Sequence, residues 1–89
     1  MLMIDYMKKV KRLGMVAVVD SQDHAIKVFT EQHLIAEVPI CFDEWYGFDL
    51  LYLDEHRDKK TKKLFDLTKV FASTPVLARL GFSLENGGD

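Results

Sequence analysis

The sequence predicts an α+β domain: an N-terminal helix, an antiparallel sheet of three or four strands, and a long C-terminal helix followed by a short one. Three observations carry this. Met3, Tyr6, Met7, Val10 and Leu13 recur at helical spacing near the start of the 89-residue chain, and Leu64, Leu67 and Phe71 do so near its end. Between the two stripes lie β-branched runs separated by short polar breaks. With 48% apolar and 29% charged residues, the composition is that of a globular domain, away from the polar pattern of disorder.

A domain of this length hides roughly 60–65% of its unfolded surface, enough for one core. Residues 1–82 are therefore expected as a single α+β domain, with 83–89 (SLENGGD) as an aperiodic, disordered tail. In the first helix Asp5 suits the positive end of the dipole, Lys8, Lys9, Lys11 and Arg12 lie toward the negative end, and Gly14 can stop it. MVAVVD (15–20) and AIKVFT (25–30) flank the polar break SQDH and read as a hairpin. After Glu31-Gln32 the chain turns into HLIAEVPI (33–40), whose alternation points Leu34, Ala36, Val38 and Ile40 to one buried face. Pro39 lacks a donor, so this strand should end there or lie at an edge. FDLLYLD (48–54) is predicted as a fourth strand, returning from the loop CFDEWYG.

Asp54 or Glu55 is expected to start the long helix, over about 55–72. Its first turns, HRDKKTKK, hold no apolar residue, so that half is expected to project with its charge in water. Thr68 lies beside the apolar stripe. The expected core comprises Tyr6, Val10, Val16, Val18, Ile26, Val28, Leu34, Ala36, Val38, Leu64, Leu67, Val70 and Phe71. Proline disfavours helical backbone in the residue before it, so the helix should end at Thr74. The Thr74 hydroxyl is then expected to cap a second helix over 75–80, with Pro75 in its first position and Gly81 ending it. Val76, Leu77 and Leu80 give that helix something to bury.

The stretch from Leu64 to Arg79, an apolar helix ending in Ala-Ser-Thr-Pro-Val and soon reaching an arginine, resembles the C-terminus of small uncharacterised phage and prophage proteins of Gram-positive bacteria. These end in a leucine-rich helix followed by a sequence close to A-x-T-P-[IV]-E-E-R. The match is clear only over these 16 or so residues, and the order of elements is similar over roughly 4–80. Leu77-Ala78 replace the two acidic residues of the pattern, which makes the last helix more apolar here. The resemblance implies a mobile-element origin and supplies no activity.

No catalytic motif accompanies this. His24, His33, Cys41 and His56 are scattered without metal-ligand spacing, no serine or cysteine stands in a recognisable triad framework, and the glycines form no phosphate loop. The expectation is a protein without enzyme activity, metal or other cofactor. A lone cysteine forms no internal disulfide, the N-terminus runs apolar then basic, and no apolar run spans a membrane. A soluble protein of the bacterial host cytoplasm is expected.

Charge is segregated along the chain although the net value is only −2. Residues 1–14 hold one acid and four bases, 15–42 four acids and one base, 43–58 six acids and one base, and 59–63 four lysines. The acidic segment also contains Trp45, Tyr46, Phe48 and Tyr52. Either Trp45, Phe48 and Tyr52 are core residues under an acidic outer face, or the segment presents aromatic anchors and steering carboxylates to a basic partner. In the second case the contact residues are Asp43, Glu44, Trp45, Tyr46, Asp49, Asp54 and Glu55. An alternative site for nucleic acid comprises Lys8, Lys9, Lys11, Arg12, Lys59, Lys60, Lys62 and Lys63, which otherwise are solvated helix faces.

Three functions follow as expectations. The first is a non-enzymatic phage-derived protein that binds and inhibits a host defence protein such as a CRISPR effector nuclease, as anti-CRISPR proteins do. The second is a small nucleic-acid-binding regulator. The third is a homo-oligomeric structural or assembly protein of a phage, with a contact patch at Leu77 and Leu80.

Overall fold

The computed structural model of the protein describes residues 1–42 and 44–81. Its elements run α1 (Met3–Arg12), β1 (Val16–Asp20), β2 (Ala25–Thr30), β3 (His33–Pro39), β4 (Gly47–Phe48), α2 (Leu50–Glu55), α3 (Lys59–Ser73) and α4 (Val76–Arg79). The four strands form one antiparallel sheet in chain order. Helices α1 and α3 pack against each other and against the sheet, which gives the α+β architecture that the periodicities predict. The expected tail, 83–89, lies outside the described residues.

Helix α1 buries Tyr6 and Val10 completely, with Met3, Met7 and Leu13 packed around them. Gly14 follows at φ +82°, a left-handed conformation that glycine adopts without strain. The Tyr6 ring stacks on Phe71 of α3 with centroids 4.6 Å apart, and its hydroxyl hydrogen-bonds Thr68 Oγ1 at 2.9 Å. Thr68 therefore sits at the centre of the buried face of α3, not beside it, with Thr61, Leu64, Phe71 and Ala72. Val70, expected in the core, is more than half exposed, and Leu67 is only partly buried. The helical face follows Thr61, Leu64, Thr68 and Phe71, and Val70 lies to its side.

The sheet corrects the expected face of β1. Its register sets Ala17 opposite the fully buried Val28 and Val18 opposite Lys27. Ala17 and Met15 consequently face the helices, while Val16 and Val18, both expected inside, face outward. Valines at 16, 18 and 19 leave little contrast between faces, so the partner strand decides the orientation. The β2–β3 pairing has a second surprise. Val28 pairs with Ala36 but Phe29 with Leu34, so Ile35 is an extra residue in β3. Ile35 and Ala36 are both buried as a result, and Leu34 turns outward instead of entering the core.

The predicted fourth strand over 48–54 is replaced by a two-residue strand and a helix. Asp49 makes the difference: its carboxylate accepts the N–H of Tyr52 at 3.0 Å and caps α2. Helix α3 then starts later than predicted, at Lys59, where Asp58 accepts the N–H of Thr61 at 2.7 Å. Thr61 is buried in the first turn, so α3 lies on the body from its start while its lysines point outward. The half expected to project does not.

The Thr74-Pro75 corner is also built differently from the expectation. Pro75 is the cap residue of α4, and its carbonyl accepts the first helical bond from Arg79 N. The Thr74 hydroxyl does not cap α4. It donates to the Val70 carbonyl one turn back and accepts from the N-terminal ammonium of Met1 at 3.1 Å. In α4 the expected polarity is inverted: Leu77 and Leu80 are about half exposed and Arg79 is 1% exposed.

Candidate functional site

After β3 the chain crosses to α3 and runs back along it. Glu44 N–H donates to the Ala72 carbonyl near the C-terminal end of α3. Tyr46 and Phe48 then meet the Phe65 ring edge-on, with centroids 6.3 and 5.0 Å away. Farther along, Leu50 and Leu53 of α2 face Phe65 across an open groove of about 640 Å³. Asp54, Arg57, Asp58, Lys62 and Asp66 form its rim, and Asp54 is bonded to Arg57. Segment 44–58 thus lies antiparallel to α3, anchored by Tyr46 and Phe48.

What the segment anchors inward is less than it displays. Phe42, Trp45, Leu50 and Leu51 are each between 65% and 69% exposed. Phe48 and Tyr52 pack partly against the core, but Trp45 does not, so the two expectations for these aromatics divide between them. Fixed backbone with large apolar side chains turned to solvent is the composition of an interaction surface.

The predicted acidic set does not form one patch. Glu44, Trp45 and Tyr46 lie toward the C-terminal end of α3. Asp49 is occupied as the α2 cap and by the ring of His33, whose Nε2 lies 2.8 Å from Oδ2. The Tyr52 N–H first, and His33 second, hold the Asp49 carboxyl below the usual carboxylate range. Asp54 and Glu55 stand exposed at the end of α2, and Asp43 lies outside the described residues. Beside Asp49, Tyr52 stacks against both His33 (5.6 Å) and His56 (3.9 Å); Tyr52 and His56 are four apart, but only the tertiary structure adds His33. Among the described residues, no three His, Cys, Asp or Glu side chains converge as metal ligands.

The basic set, in contrast, is brought together. Met1 bonds Thr74, Tyr6 bonds Thr68, and Lys9 lines one groove with Lys63, Asp66, Leu67 and Val70. Helices α1 and α3 are therefore antiparallel, and the last turn of α1 lies beside the first turns of α3. Lys8, Lys9, Lys11, Arg12, Lys59, Lys60, Lys62 and Lys63 share that end, all exposed. None of them makes an ion pair among the described residues. Among those residues, no helix is long and apolar enough to cross a membrane. Comparison of the chain with protein-family models, with curated proteins and with solved structures found no match.

Proposed function

We propose that the protein acts by contact rather than catalysis, binding a host protein through segment 42–55. The single observation behind this is the exposure of Trp45, Leu50 and Leu51 on a backbone held by Tyr46, Phe48 and the Asp49 cap, with Phe42 exposed as well. Keeping such side chains in water forgoes about 25 cal/mol for each Å² that a partner would cover. Tryptophan and tyrosine are favoured anchors at the centre of protein interfaces. The six acids against one base in 43–58 favour a lysine- and arginine-rich groove in the partner, through steering more than through net affinity.

Such grooves are where nucleic-acid-processing proteins hold phosphates. Together with the phage-like ending at Leu64–Arg79, this supports a host defence nuclease, such as a CRISPR effector, as the inhibited partner. The test is target-DNA cleavage by a guide-loaded CRISPR nuclease from a Gram-positive host, with an unrelated nuclease as control. Selective inhibition that is lost in Trp45→Ala/Leu50→Ala is the expected result. Exposed side chains leave the fold's stability within about 0.5 kcal/mol when truncated, so the variant stays folded. No inhibition, or inhibition unchanged in the variant, counts against this function.

A further inference from the structure

We infer that the end of the molecule built from the last turn of α1 and the first turns of α3 binds the phosphate backbone of nucleic acid. Its eight cations come from two segments some fifty residues apart, and only the antiparallel packing of α1 on α3 brings them to one end of the molecule, with Lys9 and Lys63 lining one groove and Lys62 bordering another. None is neutralised by an ion pair among the described residues. Asp54, Asp58 and Asp66 stand close by; Asp54 is paired with Arg57, and none of the three closes on a lysine.

On α1 the cations suit the negative end of the helix dipole and need no function to explain them. On α3 they oppose it. The first turn carries the positive end of the dipole, holds no acid, and is where the lysine run begins. Lys59 and Lys63, four apart, and Lys59 with Lys62 or Lys60 with Lys63, three apart, add like-charge repulsion on the helix surface. Asp58 at the cap offsets this in part. A lysine run set against the dipole of its own helix is relieved once a dense line of negative charge is laid on it.

The composition selects the occupant. Seven of the eight cations are lysine, with no aromatic among them, whereas protein interfaces are depleted in lysine and rich in aromatics. A single arginine and no asparagine or glutamine provide little to read base edges, so binding is independent of sequence. The surface is centred away from Trp45, although Lys62 borders the groove that also holds Leu50. Glu44 is bonded near the C-terminal end of α3, which at 15 residues is about 22 Å long.

The experiment is fluorescence anisotropy of a labelled 20-base-pair duplex titrated with the full chain between about 50 and 200 mM salt. Contact with about five phosphates gives a log–log salt slope near −4.5. Lys59→Gln/Lys60→Gln/Lys62→Gln/Lys63→Gln is expected to weaken binding by about ten-fold or more at low salt and to reduce the slope by about two. Lys8→Gln/Lys11→Gln, on the other helix, should act in the same direction. A·T-rich and G·C-rich duplexes should bind within about three-fold of each other. Absence of binding at low salt, an unchanged slope in the four-lysine variant, or equal competition by polyglutamate charge for charge would overturn the assignment. Trp45→Ala alone, beside Glu44 at the far end of α3, should bind duplex like the parent protein, so failure here is separable from failure of the inhibitor function.

Discussion

The Arg79 guanidinium donates through Nη2 to the carbonyl of Ala72 at 2.7 Å, and that carbonyl also accepts the backbone N–H of Glu44. One oxygen at the end of α3 thus joins α4 to the loop that leads into the aromatic segment. Arg79 reaches two further carbonyls, Thr74 at 2.8 Å and Pro39 at 2.6 Å, and lies over the Phe71 ring with its centroid 4.7 Å away. Buried backbone acceptors at the ends of α3 and β3 are satisfied by one planar donor set. These contacts give a structural role to the arginine that follows the Thr-Pro corner.

Arg79→Lys should therefore be severe although it keeps the charge. An ammonium cannot span three carbonyls fixed in different directions, so about 2–4 kcal/mol of stability is expected to be lost. Urea unfolding monitored by circular dichroism measures it. A midpoint close to that of the parent protein would mean that the carbonyls find other donors.

Tyr6→Phe removes the hydroxyl shared with Thr68 and leaves a buried oxygen unsatisfied, at a cost of about 1–2 kcal/mol. Adding Thr68→Val should recover much of that loss, since both polar partners are then gone. The same burial pushes the Tyr6 phenol up to about 12, a rise the Thr68 bond tempers. Because the folded value lies above the unfolded one of about 10, the stabilisation is complete below pH 10 and is lost as pH rises toward 12. Absorbance titration of the tyrosines should show one late component that Tyr6→Phe abolishes.

The acid limb has the opposite sign. The Lys27 ammonium beside Asp20, the Tyr52 N–H on Asp49 and the Thr61 N–H on Asp58 each hold a carboxyl below its usual range. Such groups contribute fully above the unfolded value of about 3.9, and the contribution disappears as pH falls through the folded values. Stability should be level from neutrality to about pH 5 and decline below about pH 4. Asparagine caps a helix without titrating, so Asp49→Asn/Asp58→Asn should give a shallower decline in urea midpoints between about pH 5 and 2.5.

The two-residue turn between β2 and β3 is held in left-handed backbone, Glu31 at φ 51° and Gln32 at φ 66°. Turns of this kind favour asparagine followed by glycine, and neither residue here is suited to it. Glu31→Asn/Gln32→Gly should stabilise the domain on the order of 1 kcal/mol. A differential scanning measurement showing no gain would place the compensation for this strain in contacts of the Glu31 or Gln32 side chains.

Much of the fold is legible in neighbouring residues. The stripe of Tyr6 and Val10, the hairpin at Glu31-Gln32, the end of β3 at Pro39 and the helix break at Thr74-Pro75 all follow from local spacing and backbone chemistry. The basic clusters and the aromatic acidic segment could likewise be named residue by residue. What could not be read is anything that depends on a distant partner. The outward face of Val16 and Val18, the bulge at Ile35 and the central place of Thr68 are set by strand register and by Tyr6 across the core. Helix α2 is an exception: its signal, Asp49 three residues before Tyr52, is local, but the apolar run that follows suits a strand equally well.

The sequence by itself determined most of the helices and strands, α2 excepted, because hydrophobic period, caps and proline act within a few residues. It also determined which side chains carry charge and aromatic area. Only the tertiary structure decided their company: that Trp45 stays in water, that Arg79 is buried while Leu77 is not, and that Lys8–Arg12 stands beside Lys59–Lys63. Burial and charge density depend on what packs against a residue, and in a chain of 89 residues those neighbours lie many positions away.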